Sequence, residues 1–497
     1  MSKLLYETNE WSFDLIHKAW DAIDKIAKEK YGLDYYKSCI EVVSSEQMLD
    51  AYSSIGLPSM YNHWSFGKSF IQNEEAYQKG KQGLAYELII NTNPAIAYLM
   101  ENNTMTMQCL VMAHAICGHA SFFKNNYLFK KWTDADSIID YLNYAKKYIS
   151  ECENKYGPAP VERVLDACHA LQNHGVDQYK RPRRMKKELE LQRKEQWKEY
   201  LRHLQSQLWK NEETEWQAKR SLRDLKKFRN LPEENILYFI EKNAPKLDSW
   251  KRELIRIVRN IAQYFYPQSQ TKIMNEGWAT WVHHTLMTEL YNQGYISEGN
   301  YLEFLDSHCG VCCQHDFNSP AFGGINPYAI GYAMFKDLER IIDTPTEEDK
   351  EWFPDIAGKT EQKNEILQDI VANYRDESFM LQFLSPKVIR DFKLFVLADK
   401  EESPFYTVDK THRIDDVKKV RKALAYQVSR DNFVPKIDIA HVNKDNHTMT
   451  LINTVSNGRI LDFDTAKKTK AYVEYLWQYD VELLYKDVNG ELVNKVR

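Results

Sequence analysis

Two apolar, helix-like segments constrain this chain most, because each places histidines where a folded core would bury them. The first is His114-Ala-Ile-Cys-Gly-His119. The second, about 160 residues later, is Asn275-Glu-Gly-Trp-Ala-Thr-Trp-Val-His283-His284. The second segment also contains a carboxylate, Glu276. Imidazoles and one glutamate supplied by two helices are a common ligand set for catalytic zinc, so the two segments together predict a metal site.

Helix geometry separates the residues of the second segment. Glu276 and His283 are seven residues apart, which places them within roughly 20° of the same helix face, whereas His284 is turned about 80° away. Seven residues also span about 10 Å along the axis, and zinc holds its donors at about 2 Å. We therefore expect Glu276 to be a ligand and His283 to assist, as acid/base, supporting residue or ligand of a second metal.

The first segment needs a distorted helix if both of its histidines bind one ion. His114 and His119 are five residues apart, about 140° around a regular helix. Gly118 is well placed to let the helix end or distort between them. The segment also lacks the glutamate base of the HExxH motif. The base of a hydrolase would then come from Glu87, Glu101 or His283.

Other interpretations of these polar residues remain open. The histidines could simply be buried, hydrogen-bonded core residues. Asp166-Ala-Cys-His169 has the i, i+3 spacing of ligands in di-iron helical bundles, which makes iron an alternative metal. His308-Cys-Gly-Val-Cys-Cys-Gln-His315 contains a C-x-x-C pair, but a zinc knuckle normally has its second ligand pair further along the chain.

Composition predicts a globular protein and argues against several functional classes. The 497 residues are 43% hydrophobic and 28% charged, which suits a large buried core. The net charge of −5 argues against a dedicated nucleic-acid binder. No transmembrane segment is expected, since no apolar run approaches the ~18 residues of a membrane helix. A polar N-terminus and few cysteines favour the cytoplasm.

Hydrophobic periodicity predicts an α+β, mostly α-helical chain with two parts. Residues 1–399 should form a large helical body and residues 400–497 a small α/β module. The body is expected to be zincin-like because its Glu276-Gly-Trp-Ala segment resembles the third-ligand helix of gluzincin metallopeptidases. In this module Lys436–Val442 and Thr448–Val455 alternate like the strands of a hairpin. Residues 181–230 are predicted to form a charged helical segment, which contains no glycine or proline between Arg183 and Leu231. This segment is either a solvated helical face or an arm that docks a partner.

Long collinear blocks over about residues 40–340 resemble the SpoVR family, that is, stage V sporulation protein R and its relatives. These blocks are Met48-Leu-Asp-Ala-Tyr-Ser-Ser-Ile-Gly, His63-Trp-Ser-Phe-Gly-Lys, Gly83-Leu-Ala-Tyr-Glu-Leu-Ile-Ile-Asn, Tyr98-Leu-Met-Glu-Asn-Asn-Thr-Met-Thr-Met-Gln, His119-Ala-Ser-Phe-Phe-Lys-Asn-Asn, Asp166-Ala-Cys-His-Ala-Leu, Asn275-Glu-Gly-Trp-Ala-Thr and Gly324-Ile-Asn-Pro-Tyr-Ala-Ile-Gly.

The resemblance implies a cytoplasmic bacterial protein that takes part in sporulation, where the family is linked to the spore cortex, a modified peptidoglycan. It also implies a serine protein kinase and a von Willebrand A-like protein as partners, because family genes accompany theirs in non-sporulating bacteria. The residues that fall on positions of the family pattern are His63, Glu87, Glu101, His114, His119, Asp166, His169, Glu276, His283 and His308.

Three hypotheses follow from the sequence. In the first, His114, His119 and Glu276 hold a divalent metal, with zinc expected, and His283 assists the hydrolysis of an amide bond. In the second, the protein is a non-enzymatic scaffold or regulator for the kinase and its von Willebrand A-like partner. In the third, Asp166 and His169 belong to a di-metal, iron-containing oxidase-type bundle. The sequence does not indicate the oligomeric state.

Overall fold

The computed structural model describes residues 4–54, 57, 60–78, 87–179, 233–398, 407–443, 445–455, 461–487 and 489–496. The charged segment 181–230 lies outside these residues. The described part is mostly helical with small sheets, which confirms the α+β class. None of its helices combines the length and the apolar character that crossing a membrane requires.

The chain divides into two units, each discontinuous in sequence. The first comprises Met1–Gly157 and Tyr264–Phe433, and the second Pro158–Gln263 and Val434–Arg497. The division between residues 399 and 400 made from the sequence stays a prediction.

The elements follow one another along the chain in four stretches. The first contains α1 (Phe13–Glu29), β1 (Ser38–Val43), α2 (Ser45–Ser53), α3 (Trp64–Gln78), β2 (Glu87–Ile90), β3 (Ala95–Met100), α4 (Met105–Met112), a π-helix (Ala113–Ala120), α5 (Ser121–Asn125), α6 (Tyr127–Trp132) and α7 (Ile138–Tyr156). The second contains α8 (Pro158–Ala170), a 3₁₀ turn (Gln172–His174), α9 (Ile236–Asn243) and α10 (Ser249–Gln270), whose last residues belong to the first unit. The third contains α11 (Lys272–Asn292), α12 (Glu298–Val311), α13 (Pro327–Asp343), α14 (Glu347–Trp352), a 3₁₀ turn (Thr360–Gln362), α15 (Lys363–Asn373), α16 (Asp376–Phe383), α17 (Pro386–Asp391), β4 (Val396–Ala398), β5 (Thr407–Lys410), a 3₁₀ turn (Ile414–Asp416), α18 (Val417–Val428) and α19 (Arg430–Phe433). The fourth contains β6 (Lys436–Val442), β7 (Met449–Thr454), α20 (Phe463–Trp477), β8 (Val481–Lys486) and β9 (Leu492–Val496).

Three sheets account for the described strands. In the first unit β3 lies between β1, which is parallel to it, and β2, which is antiparallel. Strands β4 and β5 form a separate pair. In the second unit the order is β6-β7-β8-β9, and α20 connects the parallel strands β7 and β8. The hairpin predicted near residues 436–455 is confirmed as the antiparallel pair β6 and β7.

A distorted helix carries the first histidine segment. α4, the π-helix and α5 follow one another without a break, and Thr104 caps the start by accepting a hydrogen bond from the Met107 amide. Because π-helical hydrogen bonds join residues five apart rather than four, side chains five apart share one face. The distortion expected between His114 and His119 is therefore a widening of the helix. It does not involve a positive φ at Gly118.

Helix α11 carries the second histidine segment and packs closely on both sides. A Cβ added at Gly118 would lie 2.6 Å from the Cα of Ala279, and one at Gly277 would lie 2.4 Å from the carbonyl carbon of Gly331 on α13. Real Cβ atoms do not approach so closely, so these glycines allow the helix backbones to touch. The role of Gly118 is thus close packing against α11.

The first turn of α11 is held by a residue from another helix. The carboxylate of Asp376, at the start of α16, accepts hydrogen bonds from the amides of Ile273 and Met274, at 2.9 and 2.8 Å. These amides have no acceptor within their own helix, so the carboxylate acts as an N-cap supplied from elsewhere in the chain. The contact fixes the backbone next to Asn275 and Glu276.

Substituting Gly118 by alanine should destabilise the protein, because the added methyl group would meet backbone atoms of α11 that cannot move independently. The expected loss is about 1–3 kcal/mol, the usual cost of overpacking a core. Urea denaturation monitored by circular dichroism measures it. The matched control is Gly310→Ala in α12, where a Cβ would meet nothing within 4 Å and alanine should stabilise the helix by up to about 1 kcal/mol. Equal stabilities for the two variants would contradict the close-contact interpretation.

Candidate metal centre

The π-helix brings two histidines to one face in the core of the first unit. The rings of His114 and His119 have centroids 4.6 Å apart, and the residues are only 4% and 7% exposed. On a regular helix residues five apart would diverge by about 140°. The local widening of the helix is thus what allows both imidazoles to face one point.

Two glutamates from other elements complete what we call the His-Glu cluster (Glu87, His114, His119 and Glu276). Glu276 on α11 places Oε2 at 3.4 Å from Nε2 of His119 and 3.8 Å from Nε2 of His114. Glu87, the first residue of β2, places Oε1 at 3.3 Å from Nε2 of His114. Within the described residues, Glu87, His114 and His119 form the group of potential ligands whose donor atoms all lie within 4.8 Å of one another.

The spacing of these atoms fits a divalent cation. Donors held tetrahedrally at about 2.0–2.1 Å from one ion lie about 3.4 Å from each other, and the observed separations are 3.3, 3.4 and 3.8 Å. One buried oxygen on each carboxylate, Oε2 of Glu87 and Oε2 of Glu276, has no hydrogen-bond partner. An unpartnered buried carboxylate oxygen is costly, and a cation at the centre of the cluster would offset the negative charge of both carboxylates. Imidazole and carboxylate donors suit zinc and iron alike.

In both histidines of the His-Glu cluster, Nδ1 points away from the glutamates and is hydrogen-bonded to a neutral partner. Nδ1 of His119 donates to the side-chain oxygen of Asn275 at 2.9 Å, which leaves its Nε2 lone pair facing Glu276. Nδ1 of His114 lies 2.8 Å from Nδ1 of His283. His283 is therefore one hydrogen bond behind the cluster, and its catalytic role stays a prediction.

The two carboxylates have opposite tendencies to ionise. Burial alone would raise the pKa of Glu276, but the imidazoles of His119 and His114 outweigh burial and hold that pKa well below its usual range. Burial raises the pKa of Glu87, and the nearby histidines do not fully compensate. Burial also lowers the pKa of His119, yet Glu276 and Glu87 raise it by more. Without a cation, the cluster thus holds one firmly ionised carboxylate and one that takes up a proton readily.

Two tyrosines near the carboxylates were not found by sequence reasoning. Tyr328, near the start of α13, stacks against His114 with ring centroids 6.4 Å apart. Burial and the charges of Glu276 and Glu87 raise its pKa. Tyr52 on α2 donates a hydrogen bond of 3.4 Å to the Glu87 carbonyl oxygen, and burial together with the two carboxylates raises its pKa to about 12. Both tyrosines lie in the family-like blocks, which is the signal that could have identified them.

The remaining candidate residues lie outside the cluster. Glu101 is exposed on the turn that follows β3. Asp166 and His169 lie on α8 in the second unit, whereas the cluster is in the first. His308 lies on α12, directly before the C-x-x-C pair with which the sequence grouped it. Its side chain contacts His283, with Nδ1 2.9 Å from Nε2 of His283.

Stability should fall with acidification because two histidines in this region resist protonation. Burial lowers the pKa of both His284 and His308 to about 4. In the unfolded chain histidine titrates near pH 6.5, so between these values the unfolded chain binds more protons. The free energy of unfolding should therefore be fully retained above about pH 6.5 and decrease as the pH falls towards about 4.

Urea denaturation at a series of pH values tests this expectation. For the buried His308 the expected contribution is on the order of 3 kcal/mol. The variant His308→Asn removes this titrating group and should flatten the dependence between about pH 6.5 and 4. Identical slopes for the native protein and the variant would show that His308 does not resist protonation.

Comparison with known proteins assigns the family. The family model described as SpoVR like protein matches residues 10–433, and the one described as SpoVR-like C-terminal domain matches residues 435–487. The chain is 49% identical over 484 residues to the uncharacterized protein YcgB of Escherichia coli (strain K12), a match that covers 97% of this chain and 94% of that protein. No solved structure matches it. As the sequence blocks indicated, this chain belongs to the SpoVR family.

Proposed function

We propose that this SpoVR-family protein is a divalent-metal-dependent hydrolase of amide bonds, with zinc as the expected metal and iron as the alternative. The observation that carries the proposal is the His-Glu cluster itself. Two buried imidazoles face two half-buried carboxylates, and each carboxylate has a buried oxygen without a hydrogen-bond partner. A cluster with this spacing suits a cation better than a set of hydrogen bonds, since both unpartnered atoms are acceptors.

The residues of the His-Glu cluster have different roles in the proposed hydrolysis. His114, His119 and Glu276 would hold the metal, and the metal would supply a Lewis acid able to polarise an amide carbonyl and acidify water. Glu87 is the general base, because burial raises the pKa of its carboxyl group towards the range in which a base both accepts and returns a proton. The arrangement is zincin-like in its use of two histidines from one helix and a glutamate from another. It replaces the missing HExxH glutamate by a residue from a strand.

The biological context comes from the family. Membership of the SpoVR family associates the chain with sporulation. We propose peptidoglycan of the spore cortex, or its precursors, as the source of the amide bonds. The cytoplasmic location, the kinase and the von Willebrand A-like partner stay predictions, and so does a docking role for residues 181–230.

The purified protein, expressed without added metal, should contain about one equivalent of a divalent metal, and Glu276→Ala should reduce it to below a tenth. Elemental analysis measures the content and tells zinc from iron. Glu101→Ala is the matched control, because this glutamate is exposed and outside the cluster. Native protein with less than about a tenth of an equivalent would overturn the metal site.

Glu87→Gln should keep the metal but slow hydrolysis by about 10²–10⁴-fold, the usual contribution of a general base. The assay is the release of amino groups from purified cortex peptidoglycan fragments, with metal content measured on the same sample. A Glu87→Gln protein that loses its metal as Glu276→Ala does would make Glu87 a ligand instead. Unchanged turnover in a metal-loaded Glu87→Gln protein would exclude it as the base.

A further inference from the structure

Three buried histidines form a continuous hydrogen-bonded series that begins at the His-Glu cluster, here called the imidazole row (His114, His283 and His308). His114 and His283 approach through their Nδ1 atoms at 2.8 Å, and Nε2 of His283 lies 2.9 Å from Nδ1 of His308. The three residues are 4%, 2% and 6% exposed. They come from three separate elements: the π-helix, α11 and α12.

The position of the proton on His114 determines which nitrogen is protonated in His283 and in His308. A neutral imidazole has one N–H donor and one acceptor nitrogen. If Nε2 of His114 faces the metal, the proton of His114 must be on Nδ1 and is donated to Nδ1 of His283. The proton of His283 is then on Nε2 and is donated to Nδ1 of His308, so His308 carries its own proton on Nε2.

We infer that His283 and His308 are positioning residues, which hold His114 in the tautomer that presents Nε2 to the metal. The inference rests on the proposed metal site and extends it by two residues. Neither His283 nor His308 touches the metal or the substrate in this arrangement. They act only through His114.

The chemistry of an imidazole explains why the row needs a third member. The usual partner of a metal-binding histidine is a carboxylate or a backbone carbonyl, which can only accept a hydrogen bond. An imidazole can accept or donate at either nitrogen. His283 with its proton on Nδ1 would oppose the N–H of His114. His308 supports the other tautomer of His283 when its Nδ1 accepts the hydrogen bond from Nε2 of His283.

Aromatic side chains fix the ring orientations that the row requires. Phe304 packs edge-on against His283 at 6.0 Å, with the ring planes 89° apart. Tyr332 packs edge-on against His308 at 4.8 Å and 82°. His284 also contacts the ring of His308, with centroids 4.9 Å apart, but takes no part in the two hydrogen bonds of the row. It therefore offers a control at a neighbouring position.

The affinity of the full-length protein for zinc ion alone, measured by competition with a chromophoric chelator, tests the role of the row. His283→Leu should weaken zinc binding by about 10–100-fold, the usual effect of losing the partner of a ligand histidine. His308→Leu should weaken it in the same direction. His308→Asn should remain close to native, because the asparagine Oδ1 can replace Nδ1 as acceptor. His284→Leu should leave the affinity unchanged.

If these histidines only pack the core, leucine fills the same volume in their place. Both leucine variants should then bind zinc as tightly as the native protein does. Native-like affinity in both folded leucine variants would therefore overturn the inference. If native protein binds zinc and Glu276→Ala does not, the proposed metal site stands even when the row fails. If native protein binds no zinc, both fail together.

A measurement on the native protein covers the case in which a leucine variant does not fold. ¹⁵N resonances of labelled histidines in the zinc-loaded protein report which ring nitrogen carries the proton. The inference requires protonated Nε2 and unprotonated Nδ1 for both His283 and His308. A proton on Nδ1 of His283 would overturn it.

Discussion

The close approach of the π-helix to α11 is the contact on which the candidate site depends. At Gly118 and Ala279 the two backbones leave no room for a methyl group. This contact sets the distance between the histidines of one helix and Glu276 of the other. On the other side of α11, the backbone of Gly277 touches the backbone of Gly331, and this contact fixes α11 against α13. Because interiors are packed to crystal-like density, a helix held on two sides this closely has little freedom to shift.

The π-helix is a local irregularity that positions the two histidines of the His-Glu cluster. Such segments are rare and tend to occur at functional sites. Here the widened turn directs His114 and His119 to one point, which a regular helix would prevent. The segment is fully buried, with helices and a strand of the same unit around it. Its hydrogen bonds therefore contribute to the fold while its two imidazoles remain available to a cation.

The charges of the His-Glu cluster favour the binding of a cation. Two carboxylates held close together in a half-buried site repel each other, and desolvation, with the charge of Glu276 added to it, raises the pKa of Glu87. A divalent cation at the centre of the cluster would offset both negative charges. The ligand histidines are held by an amide oxygen and by another imidazole, which are neutral acceptors. Compared with the carboxylates that often hold such histidines, neutral partners donate less electron density through the ring and would leave a metal bound there a stronger Lewis acid.

The sequence by itself determined the family, the mostly helical class and the two segments that matter, because helix periodicity and family motifs are properties of neighbouring residues. It also favoured Glu276 over His283 as a metal ligand, from the rise of one helix, and that choice stays a prediction. Only the tertiary structure brought Glu87 to the histidines and revealed the positions of Tyr52, Tyr328, Asn275 and His308. The contact between Asn275 and His119, for example, joins residues 156 positions apart in the chain. Packing decides them, through small residues such as Gly118 that no spacing rule marks as the point where two helices touch.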